Sequence, residues 1–124
     1  MKILALDYGS ARTGVAVSDP TGTVARPLAI IERAASDDGF AKLLAVIAAE
    51  EPELVVVGLP LTLRGERGEQ AHETALFVDR LRAAVGVPVD EFDERFTSVL
   101  AGGDDARAAA HLLTGYLEWR ATRA

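Results

Sequence analysis

The sequence predicts an α/β fold with the element order βββαβαβα, a mixed five-stranded sheet carrying helices on both faces. Three observations predict it. Short runs with strand patterning, separated by turn signals, open the chain; two stripes at helical spacing then alternate with apolar runs too short for helices; a third stripe closes it. A three-stranded meander followed by two right-handed crossovers satisfies that order.

Each element has its own signal. Lys2 to Asp7 reads as a strand with Ile3, Ala5 and Asp7 on one face and Leu4 and Leu6 on the other. Both faces are apolar apart from Asp7, which suits a central strand. Gly14 to Ser18 is a second strand whose short connection favours an antiparallel neighbour. Asp19-Pro20-Thr21-Gly22 is a turn, and Val24 to Ile31, interrupted by Pro27, is an edge strand. Phe40, Leu43, Leu44, Ile47 and Ala48 then form a helical stripe, with Ser36, Asp37 and Asp38 as cap candidates and Pro52 beyond its end. Leu54 to Gly58 is a continuous apolar run, expected to be a buried parallel strand because a helical crossover precedes it. Leu59 to Gly68 reads as a loop, and Ala71, Ala75, Val78, Leu81 and Val85 as the stripe of a second helix closed by Gly86. Val87 to Phe92 is a shorter edge strand, and a last helix from about Asp105 places Ala109, Leu112, Leu113, Tyr116 and Leu117 on one face.

Composition narrows the function. A chain of 124 residues is expected to form one domain over 1–124, and 49% hydrophobic against 26% charged residues can bury a real core. Without cysteine there is no disulfide and no thiolate metal site, and the cytoplasm is the expected compartment. No apolar stretch is long enough for a membrane span, so no membrane partner is expected. A net charge of -6 argues against binding nucleic acid through bulk electrostatics. It leaves room for a local patch, since 11 of the 13 basic residues are Arg, which grips phosphate bidentately.

Three acidic positions meet if the topology holds. Asp7 ends the first strand, Glu94 follows the last, and Asp105 begins the last helix. The first, fourth and fifth strands end at one edge, the usual site of an open α/β sheet. Asp105 precedes Ala109 by four residues and so shares its sheet-facing side, while Ala108 and Ala109 keep the helix close. Three neighbouring carboxylates repel one another unless cations intervene, which calls for Mg²⁺ or Mn²⁺, two ions being the expected number. Such a pair activates water and stabilises a leaving oxygen in phosphodiester hydrolysis. Singly, each residue has a plainer role: Asp7 as a turn residue, Glu94 as a strand-end charge paired with Arg95, and Asp104 or Asp105 as a helix cap.

Leu4 to Gly9 with Arg12 and Gly14 to Asp19, then Val55 to Leu61, then Asp93-Glu94-Arg95-Phe96-Thr97-Ser98, resemble the YqgF/RuvX family, and Asp105 to Ala109 with Leu112-Leu113 and Tyr116-Leu117 resembles its closing helix. The resemblance implies a ribonuclease H-like fold, related to the RuvC resolvases, with Asp7, Glu94 and Asp105 matching the family's metal-binding triad. It implies nucleolytic processing of the pre-16S ribosomal RNA end, although the family also carries the name Holliday junction resolvase. One departure stands out. The family usually has a longer helix and a basic connection before the last aspartate, whereas only Val99 to Asp104 separate Ser98 from Asp105 here. The shortening makes Asp104 a competitor, but the spacing to Ala108 and Ala109 favours Asp105.

Arg12, Arg64, Arg67 and Arg95 are the candidate substrate contacts, each able to position a phosphate backbone without reading sequence. His72 and His111 read as structural or surface residues, Trp119 as packing rather than base stacking because no second aromatic is expected to accompany it, and Ser10 and Ser18 lack a base. Two other substrates and roles stay open: four-way branched DNA, which requires a two-fold homodimer, and a nucleic-acid-binding module without activity. An actin-like phosphate-binding domain is a weaker alternative suggested by Asp7 to Ser10, because that architecture needs a second domain.

Overall fold

The computed structural model describes residues 1–59, 69–93 and 105–122, with backbone alone for 69–71, Asp93 and Asp105. Eight elements follow in the predicted order: β1 (Ile3–Asp7), β2 (Arg12–Ser18), β3 (Ala25–Glu32), α1 (Asp37–Glu50), β4 (Leu54–Leu59), α2 (Glu69–Ala84), β5 (Val89–Asp93) and α3 (Asp105–Thr122). The sheet runs β3-β2-β1-β4-β5. The meander β1 to β3 pairs antiparallel, whereas β4 lies parallel to β1 and β5 parallel to β4. The central position of β1 explains its apolar character on both faces.

Side-chain alternation sorts the core into two layers. Leu4, Leu6, Val15, Val55 and Val57 pack with Phe40, Leu43 and Ile47 of α1 and Phe77, Val78 and Leu81 of α2. On the opposite face Ile3, Ala5, Ala16, Leu54, Val56 and Phe92 pack with Ala109, Leu112, Leu113 and Tyr116 of α3. Helices therefore cover both faces, α1 and α2 on one and α3 on the other.

Some boundaries differ from the expected ones. β2 begins at Arg12, two residues before Gly14, because Arg12 and Thr13 already pair with Glu32 and Ile31. Pro27 sits in edge strand β3 as expected, and the register slips beside it: Val15 pairs with Ala29 and Ala16 with Pro27, leaving Leu28 extra. β5 begins at Val89 rather than Val87, after the Pro88 carbonyl has accepted a bond from the Val55 amide. The largest change is in α2, whose buried stripe is Thr74, Phe77, Val78 and Leu81, with Ala75 only half-buried. Phe77 rotates the stripe because its ring finds two aromatic partners, Tyr8 at 4.5 Å and Phe40 at 6.1 Å between centroids.

Candidate active site

Asp7 is the last residue of β1, half-buried and opposite Gly14 of β2. It shares a face with Ile3 and Ala5, the face covered by α3. Its carboxylate has no hydrogen bond or ion pair among the described residues, an unusual state for a half-buried charge. The parallel registers bring two other ends to the same edge. Leu6 pairs with Val57, and two residues further along β4 Leu59 pairs with Asp93, the last residue of β5. Glu94 is the next residue in the chain and lies outside the described residues.

Asp105 is the first residue of α3. Leu117, Arg120 and Ala121, in the last turns of the helix, line a hollow with Met1 and Ile3 at the start of β1. The last turns of the helix thus lie beside the start of β1. Ala109 is fully buried against the sheet, as the small-residue spacing predicts, while the Asp105 side chain lies outside the described residues.

The connection after Asp7 is tightly built. The Gly9 amide donates to Thr13 Oγ1, and that hydroxyl faces the Gly9 carbonyl, both at 3.5 Å. A Cβ at Gly9 would stand 2.4 Å from the Arg12 carbonyl oxygen, so any other residue would push the turn off β2. The Arg33 amide donates to the Ala11 carbonyl at 2.9 Å and ties the turn to the segment entering α1. Arg12 emerges from this turn as the exposed first residue of β2, partnered within the protein, at the same edge as Asp7. Arg64, Arg67 and Arg95 lie outside the described residues. Among the described residues no three of His, Cys, Asp and Glu gather as a metal site.

Other residues fall into structural roles. Ser18 Oγ accepts from the Ile3 amide at 2.8 Å and donates to the Asp19 carbonyl, which occupies the hydroxyl that a nucleophile would need. His72 is exposed on α2, and His111 is half-buried and partnered on α3. Trp119 packs, but not alone: Phe92 lies 5.7 Å and Tyr116 5.8 Å from it between centroids. Sequence reading passed over Tyr8, whose ring is buried and whose hydroxyl is held above its ordinary pKa by burial and by Glu73. The place of Tyr8 is legible in the alternation of Leu4, Leu6 and Tyr8, which puts all three on one side of the first strand and its continuation.

The chain is similar to several known proteins. A family model described as "RuvX: Holliday junction resolvase" matches residues 1–119. A Chloroflexus aurantiacus protein described as "Putative pre-16S rRNA nuclease" is 46% identical over 99 residues, 80% of this chain and 65% of that protein. The chain thus spans under two thirds of the length of that relative. An Anaeromyxobacter relative with the same description is 36% identical over 135 positions, covering 97% of this chain and 98% of its own. Those 135 positions exceed the 124 residues of the chain, so that relative carries residues this chain lacks. Among solved structures, Thermus thermophilus RuvC in complex with a Holliday junction superposes with a TM-score of 0.60 at 22% identity, over 98% of this chain and 96% of that one. The likeness shows the ribonuclease H-like fold.

Proposed function

The chain belongs to the RuvX family, and from that premise we propose that it is a metal-dependent nuclease that hydrolyses phosphodiester bonds in structured RNA, processing the end of pre-16S ribosomal RNA in the cytoplasm. The observation that carries the proposal is the half-buried Asp7, without a partner among the described residues, at the edge where β4 and β5 also end. Asp7, Glu94 and Asp105 are its catalytic and metal-binding residues, and Arg12, Arg64, Arg67 and Arg95 its phosphate contacts. A hard divalent cation fits the all-oxygen donor set and the missing partner of Asp7. When bound, Mg²⁺ or Mn²⁺ supplies an activated water and charge stabilisation at the leaving oxygen.

The protein's own part is positional. Gly9 and Thr13 fix the turn that carries Arg12, and Ala109 sets the distance of α3 from the sheet. A cleavage assay on an immature 16S end with Mg²⁺ and Mn²⁺ tests the proposal. Asp7→Asn should lower the rate by at least about 100-fold while the fold persists. Undiminished metal-dependent cleavage in that variant would overturn it.

The family description favours a second substrate, the four-way DNA junction. That reading requires a two-fold dimer with two sites on opposed strands, which sedimentation at assay concentration and junction cleavage together decide. Residues missing relative to the Anaeromyxobacter protein support a third role, nucleic-acid binding without cleavage. Metal-dependent RNA binding without product would mark it.

A further inference from the structure

On the face of β1 opposite Asp7, a cleft of about 400 Å³ opens between the β1–β2 turn and α2. Its volume lies within the range of small-ligand sites. Tyr8 and Ser10 form one wall; Glu73, Leu76, Phe77 and Arg80, one stripe of α2, form the other. Each wall has a distinct chemistry. Phe77 is buried and Leu76 is 57% exposed, giving the cleft an apolar side. The Tyr8 ring is buried, yet its hydroxyl is not an enclosed unsatisfied atom, so it reaches the cleft space. Glu73 is exposed and pairs with no cation among the described residues. Arg80 is already engaged: it donates to the Ala35 carbonyl at 2.8 Å, meets Asp37 Oδ1 at 3.2 Å and lies 3.9 Å above the Phe40 ring.

These groups select against some ligands. Arg80 is engaged by Asp37 and Glu73 has no cation partner among the described residues, so an added phosphate or carboxylate would meet a carboxylate with no uncommitted counter-charge beside it. An apolar wall beside an acceptor-only carboxylate and two hydroxyls suits a flat, neutral heterocycle with N–H donors along one edge. Tyr8 follows Asp7 and Ser10 lies in the next turn, so the cleft opens at the sheet edge that carries Asp7, on the other face.

We propose that this cleft is a nucleobase subsite that takes one unpaired guanine beside the cleaved phosphodiester, with Glu73 accepting from its ring N–H and exocyclic amine. The inference rests on the nuclease reading and adds a substrate feature to it. A paired base has its Watson–Crick edge occupied, so the subsite selects single-stranded segments over continuous duplex.

Binding in EDTA tests it apart from catalysis. Fluorescence anisotropy would compare short single-stranded RNAs that differ at one position, guanine against inosine, which lacks the exocyclic amine, and against uracil. Wild type should prefer the guanine oligomer to the inosine one by about tenfold, the range of a good bidentate contact. Glu73→Gln should erase that preference, and Leu76→Asp should weaken all the oligomers together. Both positions are exposed, and thermal melts confirm that the variants fold. Equal binding of guanine and inosine by wild type, or an unchanged preference in Glu73→Gln, would overturn the subsite while leaving the nuclease reading intact. Failure of wild type to bind any of these RNAs while it cleaves the immature 16S end would overturn the subsite alone, and failure to cleave that end with Mg²⁺ or Mn²⁺ would overturn the nuclease reading.

Discussion

At the residue scale, the two aspartates at the ends of β1 and β2 show how differently one side chain can be used. Asp19 Oδ1 accepts from the amides of Thr23 and Val24 at 2.8 and 2.9 Å, and its other oxygen meets the Thr21 hydroxyl. These bonds, the Thr21 hydroxyl first, hold its carboxyl well below the usual carboxylate range. A group with a depressed folded pKa contributes stability above its unfolded pKa, about 3.9, and loses it as pH falls toward the folded value. Asp19→Asn should therefore lower the melting temperature at pH 7 and narrow its gap to wild type as the pH is taken to 2. A constant gap would assign the loss to geometry rather than charge. Asp7 has no such partners among the described residues, so its expected stabiliser is a cation. At about 100 times its dissociation constant Mg²⁺ should add about 2.7 kcal/mol, readable as a shift in thermal melting, and Asp7→Asn should remove most of that shift. Identical Mg²⁺ shifts in both proteins would place the ion elsewhere.

At the element scale, α1 gives the clearest conflict between propensity and packing. Ser36 caps it, accepting from the Gly39 amide at 3.1 Å and donating to the Arg33 carbonyl at 2.7 Å. Gly39 lies in the first turn, where alanine would gain about 1 kcal/mol in helix propensity. A Cβ there would stand 2.0 Å from the Arg33 carbonyl oxygen, backbone that cannot step aside without breaking the cap. Gly39→Ala should consequently destabilise the protein by more than the loss of the cap in Ser36→Ala, about 1 kcal/mol, in denaturant unfolding. Such contacts explain what sequence reading could reach. Period-two and helical stripes place all eight elements, because Leu4, Leu43 and Leu113 each need a face to bury. They do not reveal that Phe77 would outcompete Ala75 for the α2 stripe, since its partners Tyr8 and Phe40 come from far along the chain. Trp119 is the same case, with Phe92 supplied by β5. Asp7 and the start of α3 at Asp105 were legible because a lone carboxylate on an apolar strand and an alanine pair on a helix are local signals. The base-sized cleft was not, for it needs the β1–β2 turn and α2 side by side.

At the scale of the whole molecule, charge and topology pull in opposite directions. The chain carries -6, yet its proposed substrate is a polyanion. Topology offers a resolution by putting the ends of β1, β4 and β5 at one edge, so that the acidic residues and arginines of the proposed site need act only there. Binding should then depend on a few local contacts rather than on a diffuse field. If Arg12, Arg64, Arg67 and Arg95 each neutralise one phosphate of a single strand, the logarithm of the binding constant should fall with the logarithm of salt with a slope of about -3. Replacing Arg12 by Gln should reduce that slope by about 0.7 and weaken binding evenly across sequences, because a phosphate contact carries no base information. Titrations between about 50 and 200 mM salt measure both quantities. A steep slope that Arg12→Gln leaves unchanged would mean that a broader basic surface, and not this edge, holds the strand.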